Sequence, residues 1–324
     1  RDHLLFNSYR MGRRSIDRGS THTWTPSPTR VAAVAEKARN PGGGRGGGAT
    51  AERDAQLWAE LRRPENRDPR GYIITADQTD FPTPIKFVNA LREVNVAVHR
   101  ATQAFEVGGR KYPAGSFVVL TAQAFRPHVL DMFEPQDHPN VIPYPGAPPT
   151  PPYDNAGWTL GFQMGVEFDR VLDAFTVDGL EEIEAWNLPM PPGRVAMSED
   201  GSEGFVFGKK TNNAAIAANR LLKANAPLWD MPGGYWYVQM PSSTGDVRTL
   251  EQLASELGVD FSGSSEDVSG ARRVRAPRVG LWDQYGGSMD AGWARWILDQ
   301  FEFPFTRVFA PELDAGRLST TYDV

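Results

Sequence analysis

One pattern, a strand followed by a helix, two strands and a second helix, occurs twice in this chain of 324 residues. The first occurrence starts at Gly71-Tyr-Ile-Ile74, and the second starts at Gly204-Phe-Val-Phe207, about 130 residues later. Further matched segments are Asn89-Ala-Leu91 with Asn219-Arg-Leu221, and Gly115-Ser-Phe-Val-Val119 with Gly234-Tyr-Trp-Tyr-Val238. Because the order of elements agrees along with the residues, we interpret the two stretches as copies of one α/β unit. The alternative is a chance likeness between two ordinary α/β units.

The elements of the first copy have the apolar spacing and turn residues that they require. Phe87, Leu91 and Val94 form the expected buried face of its helix. Gly108-Gly109 is typical of a tight hairpin turn, since glycine accepts the positive φ that such a turn needs. A Pro-rich connector at 143–153 lies between the copies, and we expect it to be stiff and extended. A helix is predicted after it, over 159–166, with Leu160, Phe162 and Met164 toward the core.

The residues before Gly71 predict a helical arm. An apolar stripe with helical spacing predicts a helix over 2–17 and consists of Leu5, Tyr9, Gly12 and Ile16. Gly19 is expected just beyond the end of this helix, where glycine readily takes the left-handed conformation. Two further short helices are predicted over 30–39 and 52–62. The glycine-rich tract between them is expected to be a mobile loop, because it cannot offset its own ordering entropy.

The arm and the rest of the chain differ in charge. Residues 1–70 carry 14 basic and 8 acidic side chains, whereas residues 71–324 carry 20 basic and 32 acidic ones. A basic arm is compatible with nucleic-acid binding, but the acidic remainder would repel a phosphate backbone. We therefore expect no nucleic-acid partner, and the alternative is that the arm packs against an acidic neighbour. No run of 18 apolar residues occurs, so no membrane span is expected.

A third α/β segment begins after residue 270. Val279-Gly-Leu-Trp282 predicts a strand, and Trp293, Trp296 and Ile297 lie on one face of the helix that follows. A second strand is predicted over 305–309 and a third from Tyr322, which is typical of the start of a doubly wound parallel sheet. The predicted domains are thus a basic, partly disordered arm over 1–70, a duplicated α/β domain over 71–270 and a truncated α/β domain over 271–324. Since the chain opens on Arg1 and ends within a predicted strand, we expect it to be a piece of a longer protein.

Catalytic signatures are absent from the sequence. The chain contains no cysteine and five histidines, none of which forms a His-x-x-Glu pair or lies three or four residues from another. No Gly-x-Ser-x-Gly elbow and no phosphate-binding Gly-Lys loop occur either. We therefore predict no catalytic residue and no metal ligand in this chain.

Four residues remain as candidates for contact with a ligand, namely Arg126, His128, Asp154 and Trp158. His128, which follows Arg126 and Pro127, has Asp131 one turn ahead, and such a pair can orient a proton carrier. The alternative is an ordinary histidine at a helix start that a nearby carboxylate satisfies. Asp154 and Trp158 are typical of a sugar or peptide site, in which the indole stacks and the carboxylate accepts hydrogen bonds. The alternative is an Asx turn at Asp154 with Trp158 filling the core.

Several segments together resemble a known family. They are Tyr9-Arg-Met-Gly-Arg-Arg-Ser-Ile16, Asp68-Pro-Arg-Gly-Tyr-Ile-Ile74, Gln123-Ala-Phe-Arg-Pro-His-Val-Leu-Asp-Met-Phe-Glu-Pro135, Pro152-Tyr-Asp-Asn-Ala-Gly-Trp-Thr-Leu160 and Val279-Gly-Leu-Trp-Asp-Gln-Tyr-Gly-Gly-Ser288. These segments resemble the region behind the catalytic domain of large bacterial zinc carboxypeptidases, which belong to the carboxypeptidase A-like metallopeptidases. The resemblance extends over nearly the whole chain but concerns accessory sequence, and none of the family's zinc ligands, general base or substrate-binding Arg can be placed on it.

The resemblance implies a parent protein in which zinc, held by the catalytic domain, polarises a peptide carbonyl and lowers the pKa of its bound water. It implies an upstream peptidase domain of the same chain as partner, a peptide substrate that binds through that domain, and a secreted or periplasmic location. The last segment, from Val279, resembles the opening of a glutamine amidotransferase-like domain. We therefore expect a non-catalytic fragment of a zinc metallocarboxypeptidase that neither binds zinc nor cleaves peptides alone. The alternative is a stand-alone peptide- or glycan-binding module.

Overall fold

Short apolar strands alternate with amphipathic helices, and they fold into a mixed α/β architecture. The computed structural model describes residues 1–39, 51–136, 138–153, 157–198, 202–240 and 244–324. In this part of the chain there are eleven α-helices and several sheets, in which most strand pairs are antiparallel. The chain divides into two compact units, the first being Arg1–Gln78 with Thr83–Leu188 and the second Thr79–Pro82 with Pro189–Val324.

The helices of the arm lie close to their predicted positions. They are α1 (Asp2–Gly19), α2 (Pro28–Arg39) and α3 (Ala51–Leu61), followed by a 3₁₀ turn at Pro64–Asn66. The predicted role of Gly19 is wrong, because this glycine lies inside α1 and is buried. A β-carbon at Gly19 would overlap the backbone carbonyl of Thr121, so the close approach of two backbones requires glycine here. The glycine-rich tract over 40–48 lies outside the described residues.

The first unit contains a five-stranded antiparallel sheet. Its elements in chain order are β1 (Gly71–Ile74), α4 (Pro82–Glu93), β2 (His99–Ala101), β3 (Phe105–Val107), β4 (Arg110–Tyr112), β5 (Phe117–Leu120), α5 (Arg126–Phe133), α6 (Leu160–Gln163), β6 (Phe168–Val171) and β7 (Leu180–Glu182). The strand order is β6-β1-β5-β2-β7, with Gly71 opposite both Leu120 and Val171. β3 and β4 form a separate hairpin. The predicted turn is confirmed, since Gly108 and Gly109 have φ of 60° and 81°.

The core of the first unit lies between β1 and the helices α4 and α5. The ring of Tyr72 stacks on that of Phe133 with centroids 4.2 Å apart, and Phe87 meets the same ring edge-on. The predicted burial of Phe87 and Leu91 is confirmed, but that of Val94 is wrong. Val94 is 42% exposed because α4 ends at Glu93, which leaves this residue off the buried face.

The described residues between α5 and β6 have little regular structure. A single bridge joins Val141 to Thr150 within the region of the Pro-rich connector. The helix that follows, α6, is one turn long and does not extend to Val166 as expected. Phe162, predicted to face the core, is 55% exposed, because a helix of four residues cannot form a continuous buried face.

The second unit contains a six-stranded sheet with its own core. Its elements are β8 (Val195–Ala196), β9 (Gly204–Gly208), α7 (Asn213–Lys223), β10 (Leu228–Met231), β11 (Tyr235–Val238), α8 (Thr244–Leu257), β12 (Phe261–Ser264) and β13 (Arg272–Arg273). The order is β13-β10-β11-β9-β12-β8, and only β12 with β8 is parallel among these pairs. Phe205, Phe207, Leu221, Leu228 and Phe261 are buried between this sheet and the helices α7 and α8.

The second unit ends in a small parallel pair of strands. The elements are β14 (Val279–Trp282), α9 (Met289–Gln300), β15 (Phe305–Val308), α10 (Ala310–Asp314) and α11 (Leu318–Thr321). The predicted third strand is absent from these residues. Instead, the Asp323 N–H donates to Arg278 O and the Gly280 N–H donates to Val324 O, both at 2.8 Å. The helix face with Trp293 and Trp296 is exposed, because α9 turns Ala291 inward.

These two units cut across the predicted domains 1–70, 71–270 and 271–324. The arm belongs to the first unit, and the segment after residue 270 belongs to the second. The arm is joined to the first sheet through Asp68, whose N–H donates to Thr23 O at 2.8 Å while its side chain binds Arg126.

Candidate functional site

Trp158, one of the predicted ligand contacts, lines a cavity of about 460 Å³ in the first unit. The lining residues mix aromatic rings with amides and are Pro135, Gln136, Trp158, Thr159, Phe162 and Gln163. The ring of His138 stacks against the indole at a centroid distance of 6.2 Å. Exposed aromatic rings beside amide groups can bind the faces and hydroxyls of a sugar, or the side chains of a peptide.

A tight turn holds Trp158 in place. Gly157 and Thr159 both have positive φ, of 77° and 50°, which reverses the chain just before α6. The Thr159 N–H donates to Asp131 O at 2.9 Å, and the Gln163 side chain donates to Trp158 O at 2.5 Å. The turn is therefore anchored to α5, and the indole is presented by a fixed backbone.

Asp154 lies outside the described residues, as does Asn155. The predicted hydrogen-bonding role of Asp154 beside Trp158 stays a prediction. The structure thus brings Trp158 together with His138 and Phe162, neither of which was among the four candidates. His138 lies too far before Trp158 in sequence for any local spacing to indicate that the two rings meet.

Arg126 is buried, with 4% of its surface exposed, and its guanidinium pairs with the Asp68 carboxylate. Its Nη2 donates to Asp68 Oδ2 at 2.6 Å. The hydroxyls of Thr23 and Thr25 donate to the same oxygen at 3.0 and 2.9 Å, and the Thr25 N–H donates to Oδ1 at 2.9 Å. We call Asp68, Arg126, Thr23 and Thr25 the arm network, because it ties the arm to α5. The Arg126 and Asp68 charges pair with each other, whereas the buried Arg126 Nε has no hydrogen-bond partner among the described residues.

Sequence reasoning missed Asp68, Thr23 and Thr25. Asp68 and Arg126 are 58 residues apart, and Thr23 and Asp68 are 45 apart, so no local spacing links them. The residue types alone carry no signal either, since an Asp before a proline is ordinary in a loop.

His128 is half-buried on α5, two positions from Arg126. Within the part of the chain that the structure describes, it makes no hydrogen bond to Asp131. A helix places residues three apart on neighbouring positions, so the two side chains share a face of α5. The predicted role of this pair in orienting a proton stays a prediction.

A second cavity, of about 560 Å³, lies beside the β3–β4 hairpin. Its polar wall is Asp169, which accepts hydrogen bonds from Arg110 Nη1 at 2.7 Å and from Tyr112 OH at 2.8 Å. Burial raises the pKa of the Tyr112 phenol, and the hydrogen bond to Asp169 raises it further. Val171 and Phe175 supply the apolar part of the wall. The two donors thus fix the Asp169 carboxylate on one wall of this cavity.

A third polar group lies at the end of α5. The Tyr72 hydroxyl donates to Glu134 Oε1 at 2.7 Å, and Arg170 Nε donates to the same oxygen at 2.7 Å. Burial raises the pKa of Tyr72 well above its usual value, and the neighbouring Glu134 charge acts in the same direction. This phenol therefore stays protonated and acts only as a donor.

The described ranges contain neither a metal-binding cluster nor a membrane-spanning helix. There, no group of three or more His, Cys, Asp or Glu side chains is arranged to hold a metal ion. In the same ranges, no helix is both long enough and apolar enough to cross a bilayer.

No known protein family, curated protein or solved structure gives a significant match to this chain.

Proposed function

We propose that this chain is a non-catalytic accessory part of a zinc-dependent metallocarboxypeptidase, an enzyme that hydrolyses C-terminal peptide bonds. The observation that supports this most is the convergence of the segments that carry the resemblance. Within the first unit, Gly12 on α1 lies beside Ala124, Asp68 binds Arg126, and the Thr159 N–H donates to Asp131 O. Four segments far apart in sequence thus meet around α5, which is the expected behaviour of segments that preserve one fold.

In the proposed parent, the upstream peptidase domain holds the zinc and binds the peptide substrate. In this chain, by contrast, the charged groups described below pair with one another. The buried charges of Arg126 and Asp68 pair with each other, and Glu134 accepts from Tyr72 and Arg170. Such pairs stabilise and orient a scaffold, so the role we assign to the chain is to support the peptidase domain in a secreted or periplasmic enzyme.

The test is the upstream reading frame together with metal analysis. We expect about 300 preceding residues, the size of one large domain, to contain a His-x-x-Glu pair and a later His. The full-length protein should bind one zinc ion and release C-terminal residues from peptides, and this chain alone should do neither. An upstream sequence without these ligands, or one tightly bound zinc in this chain alone, would contradict the proposal.

We also propose that the two sheets are copies of one unit. In the first, β5 lies between β1 and β2, and in the second, β11 lies between β9 and β10. The later strands add in the same way, since β6 and β12 pair with the first strand of their sheet and β7 and β13 with the second. A chance likeness between ordinary α/β units does not predict the same five-strand order.

Corresponding residues support the same proposal. Gly71 and Gly204 begin the first strands, and a β-carbon at either would crowd a backbone carbonyl, that of Val119 or Val238. Asn89 on α4 exchanges hydrogen bonds with the Leu188 backbone, and Asn219 on α7 donates to Phe301 O at 2.8 Å. In each unit the asparagine thus binds backbone from a later part of the chain.

For residues 271–324 we propose the opening of a glutamine amidotransferase-like domain. The parallel pairing of β14 with β15, through the intervening helix α9, supports this assignment. A strand, a crossover helix and a parallel strand form the basic repeat of doubly wound sheets.

The alternative is a stand-alone binding module for a peptide or glycan, and the Trp158 cavity favours it. A peptide and glycan array would test this reading, with Trp158→Ala as the variant and Trp186→Ala, at an exposed indole that does not line the cavity, as the control. Binding that only Trp158→Ala weakens would support a module. If no ligand binds at millimolar concentration, the alternative fails.

A further inference from the structure

Three arginines of the arm line one cavity of about 470 Å³. They are Arg14 and Arg18 on α1, and Arg62 directly after α3. Residues four apart lie on one face of a helix, so the two arginines of α1 are neighbours. The other lining residues belong to the segment that follows α1 and are His22, Thr23 and Trp24. We call these six residues the arginine cavity, and its volume is typical of a site for a small ligand.

The positive charges of the arginine cavity lack carboxylates of their own. Within the described part of the chain Arg14 and Arg62 form no ion pair, and the Arg62 guanidinium lies 5.9 Å from the centre of the Trp58 ring instead. Arg18 lies 3.9 Å from Asp68, but that carboxylate already pairs with the buried guanidinium of the arm network at 2.6 Å. Like charges four residues apart destabilise a helix. An anion that binds between the guanidiniums would offset this repulsion.

His22 adds a hydrogen-bond donor to the arginine cavity. Its Nδ1 lies 2.7 Å from Arg67 Nη1. A guanidinium can only donate, so Nδ1 accepts and the ring proton lies on Nε2. The Arg67 charge is neutralised by another residue, because its Nη2 donates to Asp173 Oδ1 at 2.6 Å. The described residues supply no acceptor for the Nε2–H of His22, which can therefore donate to a ligand.

The Trp24 indole gives the cavity an apolar wall in a fixed position. Its Nε1 donates to Arg63 O at 2.9 Å, and the ring is half-buried. The residues on either side are also held, since the Asp68 N–H donates to Thr23 O at 2.8 Å and the Thr25 N–H donates to Asp68 Oδ1 at 2.9 Å. The arm network thus fixes the segment that carries the indole. A ligand would meet a preformed wall, which lowers the entropy cost of binding.

We propose that the arginine cavity binds the phosphate group of a small molecule, with the organic part of that molecule against the Trp24 indole. The planar guanidinium forms paired N–H···O bonds that match the geometry of phosphate oxygens. A phosphate monoester carries more than one negative charge at neutral pH, so it can neutralise two guanidiniums at once, whereas a carboxylate carries a single charge. The site is independent of the proposed function, which concerns zinc and the peptidase domain.

Isothermal titration calorimetry of this chain with phenyl phosphate would test the proposal. We expect one binding site with a Kd of about 1 mM or lower. Arg14→Gln and Arg62→Gln should each weaken binding about tenfold, because each removes a hydrogen bond between charged groups. Arg13→Gln is the matched control, since it removes the same charge at an exposed position of α1 that does not line the cavity. All three arginines are exposed, so thermal melting should show that the variants fold like the wild type.

Two further ligands identify the group that is recognised. Inorganic phosphate should bind at the same site, more weakly than phenyl phosphate if the indole contacts the ring. Equal affinity of the two would support the phosphate site and assign it to free phosphate. Benzoate has the same ring with a carboxylate, and it should bind more weakly than phenyl phosphate.

Four results would overturn the proposal. Absence of binding at about ten times the expected Kd would mean that the arginine cavity is not a phosphate site. Equal weakening by Arg13→Gln and Arg14→Gln would reduce the effect to the general positive potential of the arm. Tighter binding of benzoate would assign the cavity to a carboxylate. Binding of a DNA or RNA oligonucleotide that is far tighter than that of phenyl phosphate, and is weakened by all three variants, would assign the arm to a nucleic acid.

Discussion

The Asp68 carboxylate accepts hydrogen bonds from two parts of the chain that are far apart in sequence. Asp68→Asn keeps the shape of the side chain but leaves the buried Arg126 guanidinium without its counter-charge. Breaking a buried ion pair in this way costs about 3 kcal/mol or more. We therefore expect the free energy of unfolding to fall by about that amount in urea denaturation.

A surface pair supplies the control for Asp68→Asn. Glu65 lies 3.7 Å from Arg63 with both side chains exposed, so Glu65→Gln should change stability little. The double variant Asp68→Asn, Arg126→Met should recover part of the loss, since no unpaired buried charge remains. Equal effects of Asp68→Asn and Glu65→Gln would mean that the arm network contributes no more than a surface pair.

Tyr72 makes the free energy of unfolding fall as the pH rises into the alkaline range. Its pKa is raised in the folded state, mainly by burial, whereas an unfolded tyrosine ionises near pH 10. The folded state thus holds the proton more tightly, and the stabilisation is complete below about pH 10 and is lost as the pH rises toward the folded pKa. Urea denaturation between about pH 8 and pH 11 should show a smaller loss for Tyr72→Phe than for the wild type.

The same series includes a control at an exposed phenol. Tyr153 is fully exposed, and Tyr153→Phe should leave the pH dependence unchanged. At neutral pH, Tyr72→Phe should cost about 1 kcal/mol, the usual value of one hydrogen bond, because Glu134 keeps its contact with Arg170. An unchanged alkaline slope in Tyr72→Phe would contradict the linkage.

At the scale of elements, α4 and α7 end in the same way. Asn95 and Asn225 follow these helices with φ of 64° and 58°, and the next N–H donates back to Leu91 O or Leu221 O at 3.0 Å. An alanine in the left-handed conformation costs about 1 kcal/mol, whereas glycine costs little. Asn→Ala at either position should lower the melting temperature, and Asn→Gly at the same position should restore most of the loss. A drop at only one of the two positions would mean that the two ends are not equivalent.

The sequence predicted individual helices, strands and turns better than it predicted contacts between distant residues. Local signals were enough for the Gly108-Gly109 hairpin and for the buried face of Phe87 and Leu91, because each depends on neighbours a few residues away. Gly19 was misjudged because its constraint is the Thr121 carbonyl, a contact about a hundred residues distant. Phe162 was misjudged because the length of α6 is decided by packing that spacing does not encode.

At the scale of the whole molecule, the candidate site was only partly predictable. Trp158 was found from residue type, yet its neighbours His138 and Phe162 are placed by the turn that α5 anchors. Arg126 was also predicted as a candidate, but its partner Asp68 is 58 residues away in sequence and was not predicted. The pairings of Trp158 with His138 and of Arg126 with Asp68 follow from the tertiary fold, and a single sequence contains no period that reports them.

Each unit has a core of its own, which makes a prediction about how the molecule unfolds. Leu91 and Leu221 are fully buried at corresponding positions of α4 and α7, and truncating a buried leucine to alanine costs about 2–5 kcal/mol. Native-state hydrogen exchange should therefore show that Leu91→Ala lowers the protection of β1 and β5, whereas Leu221→Ala lowers that of β9 and β11. The control at each site is Leu→Met, which keeps the volume and should cost less. If either alanine variant lowers protection equally in all four strands, the chain unfolds as one cooperative block, because separate cores would confine the loss to the unit that contains the substitution.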